Sequence, residues 1–435
     1  MQFRVRVLSW AAVFAVAASA DEFRLRPVDA TGQIHWSGAF TAGVCTVETA
    51  GTPTGPWVPR ENYFTTNSAG GARVISSPGN TFCRLLAVDL STNTPLHHAN
   101  LLGSYGTLET IAGTNLPGGG TDGFNYWRAE YEGGPATNAC LSRPHIAFAD
   151  PDNNLLIVDQ GSDSVLKVTT DGRIHTYAGT HVRGFNGYEG WATNIQLNLP
   201  NGGWMRDDGT FYILDTENNL IRRVATNGHL TTLVTNADTG TLHDGRGLWV
   251  KSDESVVYWC ALTMLRRWTP SEGVVTLPQV FVDLANLVGD ERTGDLYLCD
   301  RGQNRVFRRS TNGVLTTLAG NGSTAPRTEG TSVLQFGFNR PRDLWFIPNG
   351  GYFICEHSPG NCVWFVDPEN KVHRWLNGSS ANNAYHGDGQ WFYTDPATAK
   401  ISKPRSVVTD QRGNIIVVEN DIGFVRRISF HRLTP

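Results

Sequence analysis

One stretch limits the fold of this chain more than any other. From Arg143 to Thr180 it reads R-P-H-I-A-F-A-D-P-D-N-N-L-L-I-V-D-Q-G-S-D-S-V-L-K-V-T-T-D-G-R-I-H-T-Y-A-G-T. Four β-rich runs, 145–149, 155–159, 165–169 and 173–178, alternate with P-D-N-N, G-S-D-S and D-G turns. Gly, Asn and Asp take positive φ at little cost, so such clusters between strand-like runs mark hairpins. Four antiparallel strands in about 35 residues make a sheet that cannot bury both its faces alone. Such a unit needs copies of itself.

The chain supplies them. Second-strand runs end at Asp159, Asp215, Cys260, Asp300, Glu356 and Glu419. First-strand runs precede them (H-I-A-F-A-D, G-G-W-M-R-D, G-L-W-V-K-S, L-A-N-L-V-G-D, D-L-W-F-I-P, S-V-V-T-D), and third strands follow (V-L-K-V, I-R-R-V, L-R-R-W, V-F-R-R, V-W-F-V, V-R-R-I). Fourth strands follow only five of the six cores, because the chain ends after the last third strand. A matching fourth strand stands alone at the front, L-E-T-I-A-G at 108–113. Circular closure accounts for both facts and leaves no open sheet edge. The expected fold class is all-β: a six-bladed β-propeller closed by an N-terminal strand.

These units resemble NHL repeats. The resemblance rests on Ala112-Gly113, Ala178-Gly179 and Ala319-Gly320, on Pro144, Pro200, Pro341 and Pro404 before first strands, and on the turns Asp215–Asn219–Ile221 and Asp300–Asn304–Val306. It covers roughly residues 105–432 and departs at Cys260, where the other units carry an acid. It implies the propeller fold and leaves function open, because this fold hosts lyases, lactonases and pure binders.

The region before the repeats has a different texture. Alternating apolar runs between turns at 51–56 and 68–71 suggest a small β-sandwich over 21–100, similar to immunoglobulin- or fibronectin-like modules. The propeller is assigned 105–435. The first 20 residues carry Arg4 and Arg6, then a short apolar run and Ala18-Ser19-Ala20, as a cleavable export signal does. Cleavage near Ala20 and a secreted or periplasmic location are expected, with no membrane span in the mature chain. Seven cysteines cannot all pair. Cys45 with Cys83, and Cys355 with Cys362 across one hairpin, are the disulfide candidates, with buried free thiols as the alternative. No C-x-x-C supports a structural zinc site.

Two residue series could carry chemistry. The acids ending the second strands recur once per unit, which suits a local role: accepting backbone N–H groups of the following turn. The residues opening the first strands should instead converge on the central channel. They are His145, Asn201, Arg246, Asp283, Arg342 and Arg405. Arginines gathered there suit a carboxylate or phosphate. Pairing with nearby acids such as Asp244 and Asp343 is the alternative. Amidating lyases of the resembled fold use histidine-bound zinc, but the histidines near blade turns (His181, His243, His357, His386) do not occupy equivalent inner positions. Lactonases of the related group use Glu, Asn and Asp around a divalent ion; Asn201 and Asp283 match in part, without the further acid. No cofactor is predicted, and zinc or calcium enters only through these comparisons. Loops contribute Tyr126, Trp127, Tyr131, Tyr188, Trp191, Phe336, Phe338, Tyr385, Trp391, Phe392 and Tyr393. Such rings either pin the loops or stack on sugars or peptides.

The functional expectation is an extracytoplasmic binding or scaffold protein that engages a protein, peptide or glycan by its loop face or channel mouth. The alternative is a lyase or hydrolase with a polar or metal site at that mouth. A net charge of −4 argues against nucleic acid as a general partner.

Overall fold

The structure, a computed structural model, describes residues 5–9, 23–26, 33–41, 43–65, 67–73, 82–89, 105–114, 124–235, 242, 246–348, 351–378, 385, 387–391 and 400–430. Six antiparallel sheets of four or five strands form the propeller. Blade one is Pro144–Ala149, Leu155–Asp159, Ser164–Val168 and Ile174–Ala178, paired in that order. Blades two to five repeat the order from first strands Pro200–Met205, Leu248–Val250, Leu284–Gly289 and Pro341–Phe346. Blade six joins Pro404–Thr409, Ile415–Glu419 and Phe424–Phe430 to Tyr105–Ala112 from the front of the chain. The expected closure is therefore present, and Gln390–Trp391 extends the same sheet beyond Tyr105–Ala112.

The inner strands are buried on both faces, and successive side chains enter the cores on opposite sides of the sheet. Neighbouring sheets clasp apolar residues between them; Ile157, Leu166 and Ile174 of blade one meet Val418 and Val425 of blade six. Prolines open four of the first strands, the position in a sheet where a missing N–H costs least. Each follows a residue with positive φ: Arg143 (83°), Leu199 (49°), Arg340 (59°) and Lys403 (46°). Glycine permits close approach at the inner wall. A Cβ on Gly202 would lie 2.0 Å from the Arg246 carbonyl oxygen of the next blade.

The second-strand acids hold loops, though not those expected. Asp159 accepts the Ser142 N–H (2.8 Å), Asp215 that of Asn198 (2.8 Å), Glu356 that of Asn339 (2.6 Å) and Glu419 that of Ser402 (2.5 Å). Each acid thus pins the segment leading into its own blade's first strand; among the five only Asp300 also accepts backbone N–H groups of the following turn, while Asp215 accepts the Asn218 side-chain amide there (3.0 Å). In blade three Cys260 stands in the acid's place and the first strand has only three residues. The anchor and the long inner strand go missing together.

The small N-terminal part is two sheets around one core. One orders Val5–Ser9, Phe82–Asp89, Gly43–Ala50 and Val58–Thr65; the other orders Arg24–Arg26, Gln33–Ser37 and Gly70–Arg73. Ile34, Trp36 and Ala72 of one meet Cys45, Val47 and Leu85 of the other, which makes the sandwich. Val5–Ser9 lies inside the stretch read as an export signal; residues 10–22 are outside the described set. The two disulfide pairings are corrected. All seven cysteines are free. Cys45 faces Ala87 across the ladder while Cys83 faces Thr49, several residues away. Cys362 lies opposite Glu356 and Cys355 opposite Val363, so their side chains point to opposite faces of the sheet, into different cores. Among the described residues no helix is long and apolar enough to cross a membrane.

Candidate functional site: the channel mouth

The six first-strand residues do converge. His145 Nδ1 lies 3.3 Å from the Asn201 carbonyl oxygen, and Arg405 Nη2 lies 3.5 Å from Asn201 Oδ1, linking blades one, two and six. Arg246 Nη1 is 3.6 Å from Asp283 Oδ1 across blades three and four. Arg405 also donates to Asn420 (2.9 Å), whose amide donates to the Pro144 carbonyl (2.8 Å). Asp283 is claimed by further cations: Arg301 at 2.5 Å and Arg340 at 3.4 Å. Arg342 is only 4% exposed, and among the described residues it has no hydrogen bond or ion pair.

The alternative pairings are settled in part. Asp343 is not a partner for the arginines. It lies deeper, accepting from Asn286 (2.5 Å), Leu344 N (2.9 Å) and Val407 N (3.0 Å), and burial raises its pKa to about 6 against those hydrogen bonds. Asp244, His243 and His386 lie outside the described residues.

The electrostatics are one-sided. Burial first, then neighbouring guanidinium groups, push Arg342 and Arg405 well below the usual arginine range. The same causes hold His145 and His357 far below the ordinary histidine value, so both imidazoles are neutral at pH 7. His145 Nδ1 faces a backbone carbonyl, which can only accept, so Nδ1 carries the proton and Nε2 is a bare lone pair. That Nε2 is buried without a hydrogen-bond partner. His357 Nε2 also lacks one, its nearest acid being Asp421 at 4.0 Å, which Lys403 binds at 2.7 Å.

Several of these groups escaped the sequence reading. Arg143, Arg340 and Lys403 occupy the positive-φ position before the strand-opening prolines, Arg301 directly follows the second-strand acid Asp300, and Asp421 lies two residues after Glu419. His357, read only as a blade-turn histidine, directly follows Glu356. These positions flank the repeat registers, so aligning the units over the residues on either side of them would have found them.

Elsewhere the chemistry is already spent. His181 stacks on Trp127 (4.5 Å) and meets Thr176 Oγ1, with burial lowering its pKa to about 4. Phe336 and Phe338 are fully buried, and Tyr385 stacks on Phe424 beneath Arg426. Tyr188 and Trp191 are exposed, as are Phe124 and Phe185; Phe392 and Tyr393 lie outside the described residues. The far end of the channel is apolar: Phe148 lies 6.0 Å from Trp204 and 6.3 Å from Trp345, ring to ring. A cavity of about 390 Å³ lies between blades one and six away from the mouth, and its Asp171 and Asp410 already serve turns. No group of three or more His, Cys, Asp or Glu among the described residues is placed to hold a metal ion.

No family model matches the chain, and no curated protein matches it. Solved structures do. A Bacteroides thetaiotaomicron protein of unknown function is similar over 96% of this chain and 100% of its own, with a TM-score of 0.57 at 13% identity. An auxiliary nutrient binding protein from the same organism scores 0.55 at 13% identity, covering 94% of this chain and 97% of its own. One of the same description from Bacteroides ovatus scores 0.53 at 13% identity, covering 92% and 94%. Such coverage exceeds the propeller alone, so the likeness takes in the N-terminal sheets. At this identity it shows the all-β, six-sheet architecture with its accessory sheets.

Proposed function

We propose that this chain is an exported binding protein whose NHL-type propeller holds an anionic group of its ligand (a peptide, protein or glycan) at the channel mouth. One observation carries the reading: Arg342 is buried where six blades meet and, among the described residues, has no hydrogen bond or ion pair. An unpaired buried cation costs several kcal/mol, and an anion seated against it offsets that cost. His145, Asn201, Arg246, Asp283 and Arg405 complete the seat. Two similar folds belong to proteins described as nutrient binding, which is consistent with a binder. Export fits the first 20 residues; cleavage near Ala20 removes the edge strand Val5–Ser9 and keeps the strands that carry Ile34, Trp36, Cys45, Val47 and Leu85.

The test uses Arg342→Met. A buried charge replaced by an apolar chain of similar length should stabilise the unliganded protein by about 1–4 kcal/mol. The same change should weaken binding of inorganic phosphate or acetate more than about tenfold by calorimetry, about 1.4 kcal/mol. Unchanged anion binding, with lower stability, would mean that Arg342 is a structural residue only.

A further inference from the structure

The mouth holds orphaned acceptors as well as cations. His145 is 3% exposed, its Nε2 is a lone pair with no donor, and its ring is fixed by the Nδ1–H bond to the Asn201 carbonyl. Asp283 Oδ1 likewise accepts no hydrogen bond, although Arg246 stands 3.6 Å away. A carboxylate alone satisfies Arg342 and cannot satisfy these atoms, because it brings only acceptors. A buried acceptor left bare costs about 1–3 kcal/mol, so the ligand that fits must also donate. Lysine or amide donors fit poorly. A second cation would enter a nest that already contains Arg246, Arg342 and Arg405, and an amide lacks the charge that Arg342 requires.

We infer that the ligand group seated here is a hydroxy acid: a carboxylate against Arg342 and Arg405, with a neighbouring hydroxyl donating to His145 Nε2. This rests on the proposed anion site and deepens it. A hydroxyl suits a neutral imidazole because it donates to the lone pair while its own oxygen stays free to accept from an arginine. In cyclic form the chemistry is that of a uronic acid, which places the ligand among acidic glycans rather than acidic peptides, since Asp and Glu side chains carry no such hydroxyl. Selection for such a pair is steep, because a site built to bond a hydroxyl leaves buried groups unpaired when the hydroxyl is missing.

Three probes separate the claims by calorimetry on the full chain: D-glucuronate, cyclohexanecarboxylate (the charge and a ring without hydroxyls) and D-glucose (hydroxyls without charge). Glucuronate should bind at least about tenfold tighter than cyclohexanecarboxylate, and glucose should not bind detectably. His145→Phe should bring glucuronate to within about twofold of cyclohexanecarboxylate. His145→Gln, whose amide oxygen still accepts, should restore part of the gap and guards against a folding defect in the Phe variant. Equal binding of the two acids by the wild-type protein would overturn the hydroxyl inference and leave the anion site standing. Glucose binding as well as glucuronate, or phosphate, acetate and both acids all failing to bind, would overturn the anion site with it.

Discussion

At the scale of single residues, similar side chains reach opposite ends. His145 and His357 sit among arginines and stay neutral, whereas His373 sits between Asp367 (2.8 Å) and Glu329 (3.1 Å). Burial alone would lower the pKa of His373, but hydrogen bonds to those two carboxylates outweigh it and hold the pKa at about 9. The folded state therefore binds more protons than the unfolded chain between the unfolded value, about 6.5, and about 9. Its stabilising contribution is complete below that window and is lost as pH rises through it. His373→Gln should remove this dependence: melting temperatures of wild type and variant should differ most near pH 6 and converge near pH 9.5. A gap that does not change with pH would show that His373 stays neutral in the fold.

At the scale of strands and blades, most of the architecture could be read from the repeats. Strand 108–113 was recognisable because its texture matches the fourth strands while its own blade lies at the other end of the chain. The inner-strand residues were recognisable because one register recurs in every unit. What escaped notice lay across blades or across a sheet. The place of Arg301 beside Asp283 and Arg342 depends on how neighbouring sheets are set around one axis, which no local pattern records. The disulfide between Cys355 and Cys362 failed for a period-2 reason: two residues flanking a turn can sit one register apart and face away from each other. The closing strand gives a sharp test of the architecture. Gly113 has φ 98°, and a Cβ there would lie 2.0 Å from the Gly423 carbonyl oxygen, so the strand's end fits only glycine. Gly113→Val should lower stability by about 2 kcal/mol or more through backbone strain and the displaced neighbour. Deleting 108–113 should go further, with hydrogen exchange rising in Phe424–Phe430 and in the faces of blades one and five that pack on blade six. Exchange unchanged in those strands would disprove the closure.

At the scale of the whole molecule, net charge and site charge have opposite signs. The chain carries −4 at pH 7, while the mouth gathers Arg246, Arg301, Arg340, Arg342, Lys403 and Arg405 around Asp283 and Asp421. An anion far from the protein meets a weakly repulsive object, and one near the axis meets an attractive one. The ring geometry allows both, because six first strands aim their opening residues at one axis while the acids are spread over turns and blade ends. The apolar far end, with Phe148 between Trp204 and Trp345, confines that field to one face. Salt distinguishes the two fields. The Debye length falls from about 10 Å at 0.1 M to about 3 Å at 1 M, so added salt strips away whichever field governs binding. If the net charge governed, raising sodium chloride from about 0.05 M to about 0.5 M would relieve repulsion and tighten glucuronate binding. If the mouth governs, the same change weakens binding by about threefold to tenfold, chiefly through slower association, since local fields steer charged ligands. The deep contacts to Arg342 and Arg405 are screened less than exposed ones, so dissociation should change little. We expect weakening, carried by the association rate, in titrations and stopped-flow measurements across that range; tightening with salt would show that the buried arginines do not receive the ligand's charge.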